Sequence, residues 1–153
     1  MPLKNVGDVI DHYGGFSRTV LDYSLIVKEV VDSAKRPGFS VDSWAPLARL
    51  LDTATFRRVG NFKEVMNWTE YVTFLTQWAP SADWECSFKR ITERGYLVFL
   101  ELEERSVVGE FSNVVNSLTV YEFNSDGKII HIDVYLQMVL PPPEMLTSYE
   151  GVL

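Results

Sequence analysis

From Trp84 to Met138 the chain passes through four stretches of alternating apolar and polar residues, and this pattern constrains the fold more than any other feature. A period of two places successive side chains on opposite faces of a strand. Trp84 to Ile91 alternates, Glu93-Arg94-Gly95 turns the chain, and Tyr96 to Arg105 forms the next strand. Asn113 to Phe123 and Lys128 to Met138 follow, joined by Asn124-Ser125-Asp126-Gly127, a strong hairpin signal. In the last stretch Ile130, Ile132, Val134 and Leu136 share one face, and His131, Asp133, Tyr135 and Gln137 share the other. Sequential strands joined by tight turns make an antiparallel sheet.

The first half of the chain has a different period. Val20, Tyr23, Val27, Val30 and Ala34 recur at spacings of three and four, which predicts a helix over residues 16–34. Lys35-Arg36 suits its C-terminus and Pro37-Gly38 stops it. A second helix is expected from Asp42 or Ser43, with Pro46 in its first turn and Leu47, Leu50 and Leu51 buried. Residues 53–59 read as a short strand closed by Gly60. A third helix is expected over about 62–78, with Val65, Trp68, Val72 and Leu75 on one side and Tyr71, Phe74 and Trp78 widening the stripe. The expected fold class is α+β and cone-shaped, with three helices packed on the concave face of a strongly curved antiparallel sheet. Residues 1–15 are expected to be a partly ordered N-terminal segment, 16–140 the domain, and 141–153 a C-terminal tail.

Charge excludes whole classes of partner. The 153 residues carry a formal net charge of −7, and Arg57-Arg58 is the nearest approach to a basic cluster. Nucleic acids and anionic membrane surfaces are recognised through arrays of Lys and Arg, so neither is an expected partner. The single cysteine, Cys86, allows no internal disulfide and reads as a buried structural thiol. Two histidines and one cysteine without ligand spacing give no metal site, and no Gly-rich phosphate loop or Gly-x-Ser-x-Gly elbow is present. No metal and no organic cofactor is expected. The opening residues do not read as a signal peptide and no apolar run approaches a membrane span, so the expected location is cytoplasmic.

The order of elements and three local signatures resemble the SnoaL-like branch of the nuclear transport factor two-like superfamily. The signatures are Leu50-Leu51-Asp52-Thr53-Ala54-Thr55-Phe56, Gly60 leading toward the third helix, and Phe123-Asn124-Ser125-Asp126-Gly127-Lys128-Ile129-Ile130 followed by Ile132-Asp133-Val134-Tyr135. The resemblance covers roughly residues 20–138. It implies a small-molecule pocket and, in many relatives, cofactor-independent isomerase, cyclase, dehydratase or epoxide hydrolase chemistry. It also implies pairing through the sheet, hence a homodimer, with Phe99, Glu101 and Glu103 on the outer face.

Motif residues of the relatives transfer poorly. The steroid isomerase Tyr and two acids fall on Val30, Arg58 and Thr119. The epoxide hydrolase set falls on Phe56, Arg58, Leu102, Glu104 and Val134, so one acid survives, and the cyclase acid falls on Val134. Parity along the strands turns Arg58, Glu104, Ser117, Thr119 and Tyr121 inward. The candidate catalytic residues are Arg58 as an oxyanion stabiliser, Glu104 as acid/base, Tyr121 as hydrogen-bond donor and, were the register to slip by one, Asp133. Phe56, Trp68, Tyr71, Leu102, Ser117, Thr119 and Val134 are the candidate substrate-binding residues. A guanidinium in an apolar cavity needs an acid or an anionic ligand, and Glu104 is the expected partner of Arg58. The expected ligand is a small apolar or weakly acidic molecule. Three readings stay open: an acid/base enzyme, a binding protein that captures a ligand, and an interaction module with a filled cone.

Overall fold

The alternation after Pro80 becomes four long strands. The computed structural model describes residues 2–139, so the expected tail over 141–153 lies outside the described residues. The strands are β1 (Arg57–Val59), β2 (Val65–Met66), β3 (Ala82–Arg94), β4 (Leu97–Val108), β5 (Phe111–Phe123) and β6 (Ile129–Gln137). They form one unclosed sheet in the order β2-β1-β6-β5-β4-β3. Each neighbouring pair is antiparallel except β1 and β6, which run parallel. Lys89 in β3, between Phe88 and Arg90, and Ile130 in β6, opposite the step from Glu122 to Phe123, are extra residues of the kind that bend a strand. Tight turns at Gly95 (φ 60°) and Gly127 (φ 78°) use the left-handed region that glycine enters without penalty.

Among the described residues there are four helices, α1 (Val6–Val9), α2 (Gly15–Ser33), α3 (Ala45–Ala48) and α4 (Trp68–Trp78), of which α2 and α4 lie over the concave side of the sheet. The helix α2 buries Val20, Leu21, Tyr23, Val27, Val30 and Val31, as its spacing requires. Both of its ends are tied to the rest of the fold. At the N-terminus the Ser17 amide and hydroxyl both donate to Glu93 at 2.8 Å, so a carboxylate from β3 meets the positive end of the helix dipole. At the C-terminus the Lys35 ammonium donates to the carbonyls of Val31, Ala79 and Ala82, stapling α2 to the turn after α4. The core is continuous, with Trp44, Phe56, Leu21, Leu47, Leu100, Ile129 and Ile132 almost fully buried. Burying each such side chain contributes about 1.5–3 kcal/mol.

Several expectations change. Residues 2–15 carry structure: α1, a 3-10 turn over Ile10–His12 and a bridge from Lys4 to Phe88, with Val6, Val9 and Ile10 buried. The second helix is capped by Ser40 through a capping box with Ser43, ahead of the expected Asp42 or Ser43, and it begins as a 3-10 turn over Val41–Trp44. Thr53 to Thr55 form a turn, leaving only Arg57–Val59 as strand. The expected third helix loses its first six residues to a β1–β2 hairpin that pairs Arg58 with Met66 and Val59 with Val65. Helix α4 starts only where Asn67 accepts from the Glu70 amide and Glu70 returns the bond, a reciprocal cap that fixes the boundary. It buries Tyr71 and Leu75, while Phe74 stays 43% exposed, so its covered face is narrower than the aromatic content suggests.

Candidate functional site

Between the helices and the concave face lies a cavity of about 260 Å³. Its wall is mostly apolar and aromatic. α2 contributes Tyr23 and Val27; α4 contributes Tyr71, Phe74, Leu75 and Trp78; the sheet supplies Leu102, Val115, Ile132, Val134 and Leu136. Even-numbered residues of β4 and β6 and odd-numbered residues of β5 face it. Strand alternation therefore decides which side chains can touch a ligand.

One end of the cavity concentrates hydrogen-bond donors. Arg58, Ile132, Tyr121 and Val98 lie in one cross-strand row. The Arg58 guanidinium sits 5.0 Å from the centre of the Tyr71 ring, over its electron-rich face. The Tyr71 and Tyr23 hydroxyls lie 3.1 Å apart. Tyr23 in turn meets Tyr121 edge-on, with ring centres 5.4 Å apart. Two hydroxyls sharing one hydrogen bond use one proton between them and leave the other free to donate. The Tyr121 hydroxyl has no protein partner among the described residues and adds a further donor. Burial pushes the Tyr23 hydroxyl well above its ordinary value, with the neighbouring Tyr71 and Tyr121 adding to the rise and Arg58 opposing it. Burial also dominates at Tyr121, supported by Tyr71 and Glu104. Both phenols remain protonated at neutral pH and act as donors.

The other end holds the carboxylate. Glu104 lines the cavity with Ser106 and Asn113, and its Oε1 accepts from the Trp84 indole N–H at 2.8 Å. One carboxylate oxygen is thus fixed and the other has no protein donor among the described residues. Cys86, opposite Glu104 on β3, is half-buried, and its thiol is pushed up to about 12 by burial first and Glu104 second. It is an inert thiol.

The candidate residues divide into four groups. Arg58, Glu104, Tyr121, Tyr71, Leu102, Thr119 and Val134 all line the cavity. Phe56 and Trp68 lie behind the lining: Phe56 is fully buried, stacks on Tyr71 at 6.0 Å and meets Trp68 edge-on. Ser117 is buried with an unpartnered hydroxyl and borders a shallow groove lined also by Arg90, Glu101 and Tyr135. Asp133 is on the outer face, where its Oδ1 lies 3.0 Å from His131 Nε2. The expected Arg58–Glu104 pair does not form: Glu104 is engaged by Trp84, and Arg58 faces Glu64 at 4.0 Å. The two strands carrying them are separated by β6 and β5, which puts the guanidinium beside the hairpin loop instead. Tyr23, Ser24, Trp78, Trp84, Ser106 and Asn113 also line the cavity and are not among the site residues the sequence points to. Tyr23 belongs to the predicted buried stripe of α2, and that stripe was the only signal available for it.

Helices on the concave side of a bent, unclosed six-stranded sheet, with a cavity between the layers, define the nuclear transport factor two-like cone fold. Solved structures carry the same arrangement at low sequence identity. An NTF2-like protein of unknown function from Cytophaga hutchinsonii matches with a TM-score of 0.55 at 12% identity, covering 82% of this chain and 92% of that one. An LEH-like epoxide hydrolase from M. tuberculosis gives 0.54 at 16% identity, covering 74% and 84%. A candidate SnoaL-like polyketide cyclase from a Jannaschia species gives 0.54 at 14%, covering 78% and 93%. No family model and no curated protein matches the sequence. Among the described residues no group of three or more His, Cys, Asp or Glu side chains is placed to hold a metal ion, and no helix is long and apolar enough to cross a membrane.

Proposed function

We propose that the cavity binds a small, largely apolar molecule bearing an oxygen function, and that Glu104 moves a proton on it without metal or organic cofactor. The observation that carries this reading is the separation of roles within one cavity: a carboxylate with one free oxygen at one end, and protonated phenols beside a permanent cation at the other. Environments that keep one group a base and another a donor are the usual basis of acid/base chemistry at neutral pH. Glu104 takes a proton from the substrate. The oxyanion that develops receives hydrogen bonds from Tyr121 and the Tyr23–Tyr71 pair and the field of Arg58, and Glu104 then returns the proton. Isomerisation, cyclisation and dehydration fit this scheme, and epoxide opening fits it when Glu104 takes the proton from a water that attacks the ring carbon and returns it to the alkoxide released. The LEH-like hydrolase and the candidate cyclase with the same fold lend it support.

A second reading, capture without turnover, is favoured by one observation: Glu104 is the sole carboxylate lining the cavity among the described residues, because Thr119 and Val134 stand where some relatives place acids. A thermal-shift ligand screen on the wild type, Arg58→Ala and Glu104→Gln tests both. An enzyme binds in the Glu104→Gln variant but loses turnover, whereas a binder shows no turnover in either form. If no small molecule raises the melting temperature of any form, both readings fail.

We further propose that two copies pair through the outer sheet face in the cytoplasm. Val114, Leu118 and Tyr135 are exposed apolar side chains there. Sedimentation at micromolar concentration tests the pairing, and a monomer at all concentrations refutes it.

A further inference from the structure

The β1–β2 hairpin carries a charge that the mechanism above does not use. Its loop is closed by the Gly60 amide donating to the Glu64 carbonyl and the Lys63 amide donating to the Gly60 carbonyl, with Lys63 in the left-handed region at φ 66°. Within it the Phe62 amide donates to Glu64 Oε2 at 3.0 Å, leaving Oε1 to face the Arg58 guanidinium at 4.0 Å. The carboxylate lies directly over Gly60, where an added Cβ would overlap it. Arg58 is 19% exposed and Glu64 is 41% exposed, so the cation looks into the cavity while its counter-charge stands outside the lining.

This placement sets the sign of the field a ligand meets. Arg58 brings one positive charge, Glu64 balances it from behind, and Glu104 adds an unbalanced negative charge at the far end. A carboxylate entering the cavity is opposed by both acids. A neutral carbonyl, enol or phenol escapes that repulsion, yet gains the donors once negative charge develops on its oxygen.

We infer that Glu64 is a specificity-determining residue that turns the cavity toward uncharged oxygen-bearing ligands and away from carboxylates by balancing Arg58. The inference rests on the cavity reading proposed above and narrows its ligand class. Size sets a second bound. A cavity of about 150 Å³ accepts benzene, so one of about 260 Å³ suits roughly ten to fifteen heavy atoms.

The test uses 2-naphthol and 2-naphthoate, which share a ring system and differ in charge at neutral pH. Their dissociation constants are measured by calorimetry at low salt on the full chain and on two variants. Glu64→Gln removes the charge while keeping the side-chain volume. Gly60→Ala keeps the charge but displaces the carboxylate. In the wild type naphthol binds more tightly than naphthoate. Both variants gain about five-fold for naphthoate while naphthol moves by less than about two-fold, the scale expected of a partly exposed pair. The gain vanishes when Arg58→Ala is added to Glu64→Gln. A merely structural role of Glu64 would shift both probes together, and that outcome overturns the inference. So does an unchanged naphthoate affinity in both variants when both probes bind the wild type, a result that leaves the cavity reading intact. If neither probe binds any form, the cavity reading fails and this inference falls with it.

Discussion

The two faces of the sheet carry similar chemical groups with opposite consequences. The outer face holds His131 beside Asp133 at 3.0 Å, together with the pairs Arg90–Glu101 and Arg105–Glu103. All of these side chains are at least 31% exposed, and each has its partner on the same surface. The inner face holds Arg58, Tyr121 and Glu104, whose hydrogen-bonding capacity is only partly used by protein. Water screens the outer groups and satisfies them; the inner groups work at low dielectric, where every polar contact counts for more. A dyad is informative when it is buried and incompletely satisfied.

The largest test of this contrast concerns packing. Leu100 on β4 is fully buried and faces inward, whereas Leu118 on β5 is 36% exposed and faces outward. Leu100→Ala is expected to destabilise the fold by about 2–5 kcal/mol, and Leu118→Ala by less than about 0.5 kcal/mol in dilute solution. Chemical denaturation measures both. A loss at Leu118 that grows with protein concentration would place a second copy over the outer face, and equal losses in dilute solution would abolish the distinction between faces.

A smaller difference is expected for two hydrogen bonds of similar length. The Trp84–Glu104 bond at 2.8 Å joins an indole that is 8% exposed to a cavity carboxylate. Trp84→Phe is expected to lower stability by about 1.5–3 kcal/mol, the range for a hydrogen bond to a charged group. His131→Ala removes a contact of 3.0 Å between side chains that are 37% and 35% exposed, and is expected to stay below about 1 kcal/mol. Urea unfolding of the two variants at neutral pH sharpens the comparison. A larger loss at His131 would move the important polar chemistry to the outer face.

Sequence periodicity made the sheet legible and the cavity only partly so. The four strands after Pro80 announce themselves because a period of two survives twist and bulges, and the same parity placed Glu104, Thr119, Tyr121 and Val134 on the inner face. Residues 62–67 differ from the expected helix because Val65 fits a helical stripe as well as a strand, and the cap at Asn67 and Glu70 decides the boundary only once both side chains are in place. The partner of Arg58 was out of reach for another reason. Glu64 is six residues away and meets Arg58 only because the chain reverses over Gly60, whereas strand parity points to Glu104. Tyr23 shows the remaining gap. A buried helical stripe does not say which of its rings has its hydroxyl against another hydroxyl.

At neutral pH the smallest expected effect is zero, and it grows only in alkali. Tyr23 and Tyr121 have hydroxyls raised above the ordinary 10.0, chiefly by burial, and the Cys86 thiol is raised from 9.0 to about 12. In each case the unfolded chain releases its proton first. The stabilisation is therefore fully present below the unfolded value and is lost as pH rises toward the folded one. Stability should be flat through neutral pH with respect to these groups, begin to fall near pH 9.0 through Cys86, and fall faster above pH 10.0 as the tyrosines join. Each group adds a slope of at most about 1.4 kcal/mol per pH unit. Cys86→Ala should remove the first part of the decline, and Tyr23→Phe with Tyr121→Phe the steeper part, as read by melting temperature between pH 7 and 11 under reducing conditions. A double tyrosine variant as alkali-sensitive as the wild type would show that these phenols are not shielded, and with them the low-dielectric inner face would be lost.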